Sequence, residues 1–281
     1  MINYDGNLLQ EDTNYFNANN RAFSHGDALV ETVRVLPGKI VFWEDHYMRL
    51  MASMRILRME IPMSFTMEYL QNEITRTIVA NNMQEGTASA QFTIFRKTGV
   101  TSSQESNAIS FSIQTKQLQV PFYRINTTPY VVDLFKEHYM NSDMLSTIST
   151  TNKMLQTVGS IYASENGFQD SLMLNSAKNV VQTLYGNLFL VKGEVIKTPP
   201  LKDGCENGVL RKKIIEIIGK LNTYQLKEDS ISPFELQKAD ELFITNTLIG
   251  IQPITAYRKA TFKTDVANDL IGKLNALARL T

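Results

Sequence analysis

A single cysteine, Cys205, stands in a chain of 281 residues, so no intrachain disulfide can form and a reducing, cytoplasmic setting is expected. Histidine is nearly as scarce. His25, His46 and His138 share no metal-ligand spacing with Cys205, which argues against a zinc centre. Net charge is missing as well: Lys+Arg and Asp+Glu each number 28. Without a basic surplus to neutralise phosphates, nucleic acid is not expected as a main partner. No apolar run approaches the ~18 residues of a membrane span and no positive-then-apolar leader opens the sequence, so no membrane association is expected. Repeats and low-complexity tracts are absent too. What is present is an ordinary soluble composition, 43% hydrophobic and 20% charged, long enough for one large or two modest domains.

Alternation of apolar and polar residues predicts strands at Met1–Tyr4, in a hairpin from Leu29 to Trp43 turning at Leu36-Pro37-Gly38-Lys39, at Thr87–Arg96 and at Ala108–Thr115. A helical period runs from Glu44 to Met59, with Tyr47, Met48, Met51, Met54, Ile56 and Leu57 on one broad face and the methionines read as core filling. A second helix carries Met67, Leu70, Ile74 and Ile78, with Ser64 as its expected N-cap. Lys97 to Asn107 reads as a polar loop, and residues 117–126, with Pro121, as a connector. The implied organisation is a small α/β domain over residues 1–116 and a larger domain over 127–281. In the latter, strands are expected near Pro129–Leu134, at Ser171–Asn175, Val180–Leu184, Asn187–Lys192 and Glu241–Asn246. Helices are expected over Asn152–Glu165, Val209–Leu221 and Asp265–Leu280, and a capping box at Ser232-Pro233-Phe234-Glu235.

Four places have residue types suited to holding a phosphate-bearing aldehyde cofactor. Lys153 has no carboxylate among its sequence neighbours to hold its amine charged, a condition for imine chemistry. Gly208-Val209-Leu210-Arg211 reads as a helix start, where unpartnered amides and the macrodipole favour an anion. Arg49 offers a permanent bidentate cation. Thr245-Asn246-Thr247 closes a strand, where ligands of α/β proteins collect. Each alone has a plainer explanation: a surface lysine, an ordinary helix start, a solvated arginine, turn chemistry.

Their order along the chain is what resembles a known family. Residues 20–49 (Asn20-Arg-Ala-Phe-Ser-His-Gly-Asp27 through His46-Tyr-Met-Arg49) resemble the opening of the class IV aminotransferases, the fold-type IV pyridoxal-phosphate enzymes. Lys153-Met-Leu, Asp170-Ser-Leu-Met-Leu-Asn, Asn187-Leu-Phe-Leu-Val-Lys-Gly, Thr198-Pro-Pro, Gly208-Val-Leu-Arg211 and Phe243-Ile-Thr-Asn-Thr resemble its later blocks in sequence order. The resemblance implies an α/β (α+β) fold of two domains, small α/β and larger barrel-like, usually as a homodimer. It implies Lys153 as Schiff-base lysine and proton carrier, and Arg49, Val209, Leu210 and Thr247 around the phosphate of pyridoxal 5'-phosphate. Amino acid and 2-oxo acid would be the substrates. Thr32 and Arg96 are candidates for a substrate carboxylate, with a structural role equally open.

Departures from the family pattern bear on the reaction. Gln182 stands where the family carries a glutamate against the pyridine nitrogen, and a carboxamide supplies no countercharge. Val158, Leu184 and Tyr185 also depart from the usual residues. Gly26-Asp27 and Thr245-Asn246-Thr247 resemble 4-amino-4-deoxychorismate lyases and D-amino acid aminotransferases more than branched-chain enzymes. Three expectations stand side by side: an amino-acid transaminase, an aminodeoxychorismate lyase that eliminates pyruvate, and a family member whose chemistry Gln182 has weakened or abolished.

Overall fold

Ten residues of strict alternation, Thr87 to Arg96, build the central strand of the N-terminal sheet (β5) in the computed structural model, which describes residues 1–97 and 107–280. The interior of the expected Lys97–Asn107 loop lies outside the described residues. The chain divides into two units: Met1–Pro121 with Ser149–Asn152, and Phe122–Ile148 with Lys153–Leu280.

In the first unit, β1 (Ile2–Tyr4), β2 (Asn7–Leu9), β3 (Ala28–Leu36), β4 (Lys39–Ile40), β5 and β6 (Ile109–Leu118) form an antiparallel sheet in the order β2-β1-β6-β5-β3-β4. A short helix α1 (Arg21–His25) precedes β3, and α2 (Trp43–Ile56) and α3 (Met67–Ala80) pack on one sheet face. That face carries Leu29, Glu31 and Val33 of β3, paired with Ile94, Phe92 and Ala90 of β5. Phe92 stacks on Phe111 at 5.0 Å between ring centres, with Phe65 edge-on to both. Burying such a ring stabilises the layer by about 2 kcal/mol.

Three expectations are corrected here. The hairpin's return strand ends at Ile40, and Trp43 opens α2 instead of closing the strand. Met48 is 57% exposed while Met51 and Met54 are buried. The cause is helical geometry: each step of three residues turns the face by about 60°, so Met48 lies about 120° round from Met54. Thr66, not Ser64, caps α3, its hydroxyl accepting from Tyr69 N at 3.2 Å. The sequence Ser149–Asn152 belongs to this unit through Val30 N–H to Ser149 O at 2.9 Å and Thr151 N–H to Ala28 O at 3.0 Å.

The second unit opens with β7 (Val131–Met140), longer than expected, and α4 (Met154–Glu165). Then follow β8 (Asp170–Asn175), β9 (Val180–Thr183), β10 (Asn187–Lys192), β11 (Val195–Thr198), α5 (Val209–Gly219) and β12 (Gln225–Glu228). The capping box starts α6 (Pro233–Leu236), with both reciprocal bonds made. Then come β13 (Glu241–Asn246), β14 (Gly250–Ile254), β15 (Ala256–Tyr257), β16 (Ala260–Thr261) and α7 (Asp265–Leu280). Two five-stranded sheets result, β12-β11-β10-β13-β14 and β16-β15-β7-β8-β9. Leu134, Leu172 and Val180 of one and Leu188, Leu242 and Ile244 of the other share one core, giving a mixed α/β half-barrel. Among the described residues no helix is long and apolar enough to cross a membrane.

The turn after β13 is fixed from below. Tyr123 donates its hydroxyl to Thr247 O at 3.0 Å, and a Cβ on Gly250 (φ +78°) would sit 2.7 Å from the Tyr123 ring. Positive φ and overpacking each oppose a side chain there. Gly250→Ala is therefore expected to lower stability by about 3 kcal/mol, read as a drop in urea midpoint at constant slope.

Candidate active site

Helix α5 starts at Gly208, and no side chain caps its first amides. The amides of Val209, Leu210 and Arg211 thus form a donor cluster with the positive end of the helix dipole behind it. Asn187, the first residue of β10, holds the approach to this end: its Nδ2 donates to Glu206 O at 2.7 Å, and its Oδ1 packs where a Cβ of Gly208 would go. Glycine is required there by space, since its φ of −70° is open to any residue. Gln182 of β9 holds the same segment from the other end, its Oε1 accepting from Glu206 N–H at 2.8 Å.

Directly across the ladder from Asn187 stands Thr245. Its hydroxyl is buried and has no hydrogen-bond partner among the described residues. Paired side chains on one sheet face are about 5 Å apart, so this hydroxyl lies beside the α5 start. Asn246 Nδ2 donates to Tyr185 O at 2.6 Å, which joins the β13 turn and Thr247 to the β9–β10 turn. A tight glycine completes the arrangement: a Cβ on Gly186 would meet Thr245 O at 2.7 Å. An uncapped helix start, a cradle that excludes a side chain and a buried hydroxyl without a partner suit a phosphate, whose oxygens accept from all three.

Lys153 is the N-cap residue of α4 and is exposed. It is bracketed by two ties to the cluster just described. Six residues before it, Thr147 O accepts from Asn207 N–H at 2.9 Å. Six residues after it, Gly159 packs against Leu184, a Cβ there meeting that side chain at 2.7 Å, and Ser160 hydrogen-bonds Tyr185 at 3.0 Å. One and two-thirds turns of helix, about 9 Å, separate Lys153 from the second tie. The platform under β9 is a buried carboxylate, Asp170, which accepts from Tyr130, Ser171 N and Leu184 N. Burial raises its pKa, against the pull of these donors. Cys205, one residue before the clamped Glu206, is no nucleophile at neutral pH: burial pushes its thiol up to about 11, although Arg211 pulls the other way.

The remaining candidates belong to the first unit. Arg49 Nη2 and Nε bind the two oxygens of Glu31 at 2.6 and 3.0 Å, and His46 Nδ1 donates to the same carboxylate. Burial works against charge on Glu31, but Arg49 and His46 outweigh it and hold its pKa low. Arg96 has each guanidinium nitrogen committed: Nε to Asn107 at 3.1 Å, one Nη to Asp27 and the other to Leu57 O. It is 7% exposed and ties three chain segments together, which is a structural role. Thr32 is half-buried on the sheet face opposite Glu31, across from Gln91. The Glu31–His46–Arg49 network, Asn187 and the Thr245 hydroxyl are additions from the structure. Glu31 at an inward strand position, with His46 and Arg49 three apart on a helix, was the available signal.

A two-unit α/β fold with an uncapped helix start beside a half-barrel sheet is one class of protein; comparison with known proteins makes it specific. Residues 28–257 match the family model described as amino-transferase class IV, and the chain belongs to that family of pyridoxal-phosphate enzymes. It is 23% identical over 256 residues to an aminodeoxychorismate lyase of Vibrio harveyi, covering 90% of each chain. It is 24% identical over 264 residues to a D-alanine aminotransferase of Listeria monocytogenes, covering 89% of this chain and 85% of the other. Its fold superposes on a branched-chain aminotransferase of Thermoproteus uzoniensis, crystallised with norvaline, with a TM-score of 0.86 at 23% identity, over 99% of this chain and 94% of that one.

Proposed function

We propose that this enzyme uses pyridoxal 5'-phosphate bound at the α5 start and transfers an amino group between an amino acid and a 2-oxo acid. The observation that carries the reading is the uncapped α5 start, clamped by Gln182 and Asn187 beside the Thr245 hydroxyl, which has no partner among the described residues. Amides of Val209 and Leu210, with the Thr247 hydroxyl, bind the phosphate, and Thr245 adds a donor. Arg49, oriented by Glu31, is assigned to a cofactor phosphate by the family resemblance alone. When bound, the cofactor supplies an electron sink for negative charge at the substrate α-carbon. Lys153 Nζ would hold the cofactor and would carry the proton at the substrate α-carbon. Gln182 meets the ring nitrogen without supplying charge. The working assembly is a homodimer.

A second reading is a lyase that releases pyruvate from aminodeoxychorismate. It is favoured by the match to the Vibrio harveyi lyase over 90% of both chains. A visible spectrum of purified protein after cofactor addition tests what both readings share. The expected result is an absorbance band that borohydride removes, leaving a covalent mass increment on a Lys153 peptide. Colourless protein that takes up no cofactor would leave both without support and favour a family member that has lost its chemistry. Incubation with L- and D-amino acids plus 2-oxoglutarate then separates them: keto-acid formation fits the transaminase, pyruvate released from aminodeoxychorismate fits the lyase.

A further inference from the structure

We infer that Gln182 donates a hydrogen bond to the pyridine nitrogen and so holds the ring in its unprotonated, neutral form; this rests on the cofactor reading above. Gln182 is 5% exposed and fixed in β9 opposite Met173. Its Oε1 is already committed to the backbone N–H of Glu206 at 2.8 Å. Its Nε2 donates to nothing among the described residues. The amide cannot exchange its ends without cost, because a flip would set an NH2 group against the Glu206 N–H and leave two buried donors facing each other. A group approaching Gln182 therefore meets a donor.

A pyridinium N–H needs an acceptor, and the one carboxamide oxygen of Gln182 is turned to the Glu206 N–H, whereas its Nε2 offers donors alone. A neutral pyridine nitrogen is an acceptor and completes the amide's hydrogen bonding. The geometry of the segment suits a ligand with an anion at one end and such a nitrogen at the other. Only three peptide steps lead from Glu206, held by Gln182, to Val209 at the anion cradle, a span of at most about 11 Å. A neutral ring withdraws electrons less than a pyridinium, so negative charge at the substrate α-carbon is less stabilised and proton transfer at that carbon leans more on Lys153.

The test loads the wild-type chain with ring-15N pyridoxal phosphate and reads the nitrogen by NMR, with Gln182→Glu as the comparator. The expected result is a neutral, hydrogen-bonded nitrogen in the wild type and a pyridinium in Gln182→Glu. A pyridinium in the wild type would overturn the inference and point to an acid outside this position, such as Glu206, whose backbone N–H Gln182 holds. Equilibrium binding gives a second readout. The 1-deaza analogue, with C–H in place of the ring nitrogen, should bind the wild type at least about tenfold more weakly than the cofactor itself, and Gln182→Met should erase that preference. Equal affinities in the wild type would also overturn it. If borohydride leaves no mass on Lys153, the cofactor reading itself fails and takes this inference with it. A retained Lys153 adduct with a wild-type pyridinium sinks only the inference.

Discussion

Lys153→Ala should lower turnover by at least about 10³-fold and abolish the borohydride-trapped adduct, with little change in stability. The rate loss follows from removing both the attaching amine and the group that carries the α-proton. General acid–base transfer alone is worth ~10² to 10⁴, and loss of the covalent step adds to it. The small stability change follows from how α4 begins. Lys153 is the N-cap residue but makes no side-chain cap, and the bonds that shape the first turn go to its carbonyl, from Thr157 N–H at 2.8 Å and Thr157 Oγ1 at 2.9 Å. Alanine keeps that carbonyl. A urea midpoint within about 0.5 kcal/mol of wild type is expected, as for other exposed positions. Partial recovery of turnover by added small alkylamines, with Lys153→Arg remaining inactive, would separate a chemical role from a merely electrostatic one. Full activity in Lys153→Ala would remove the amine from the mechanism.

The parts of this fold that alternate or repeat cleanly were legible before any coordinates. β5 at Thr87–Arg96, β13 at Glu241–Asn246 and α7 at Asp265–Leu280 fall where the pattern put them, because each faces the core on one side or runs between clear turn signals. β14 was not legible: every residue from Gly250 to Ile254 is buried, so nothing alternates, and Pro253 argues against a strand. β15 and β16, two residues each, exist only through pairing with one another and, for β15, with β7. In the candidate site, a glycine before an apolar helical run marked the α5 start. What marks it as a cradle is Asn187, twenty-one residues upstream, and Thr245 across the ladder from it. Such contacts depend on register between distant strands, which local pattern does not encode. Arg96 shows the converse. An arginine beside a polar loop invites a ligand in sequence, yet Asp27, Asn107 and Leu57 occupy it in space.

Glu31→Gln is expected to destabilise the first unit by about 3 to 5 kcal/mol, the cost of removing one member of a buried charge network. Glu31 is 3% exposed and receives Arg49 on both oxygens and His46 on one of them. Glutamine fits the same space but offers one acceptor oxygen, no charge, and an NH2 that faces the Arg49 donors. Trp43, the one tryptophan, sits at the start of α2 with its indole N–H on Met67 O at 3.2 Å, so its fluorescence follows unfolding of this unit. The pH dependence gives an independent check. The pKa of Glu31 is lowered in the folded state, so its contribution is fully present above the unfolded carboxylate value of 4.5 and is lost as pH falls through the lower folded value. Wild type should accordingly lose stability on acidification below about pH 4.5, while Glu31→Gln lacks that share of the slope. The gap between the two should narrow steadily in that window. A gap that stays constant down to the acid limit would mean that shape, and not charge, is what Glu31 supplies to Arg49.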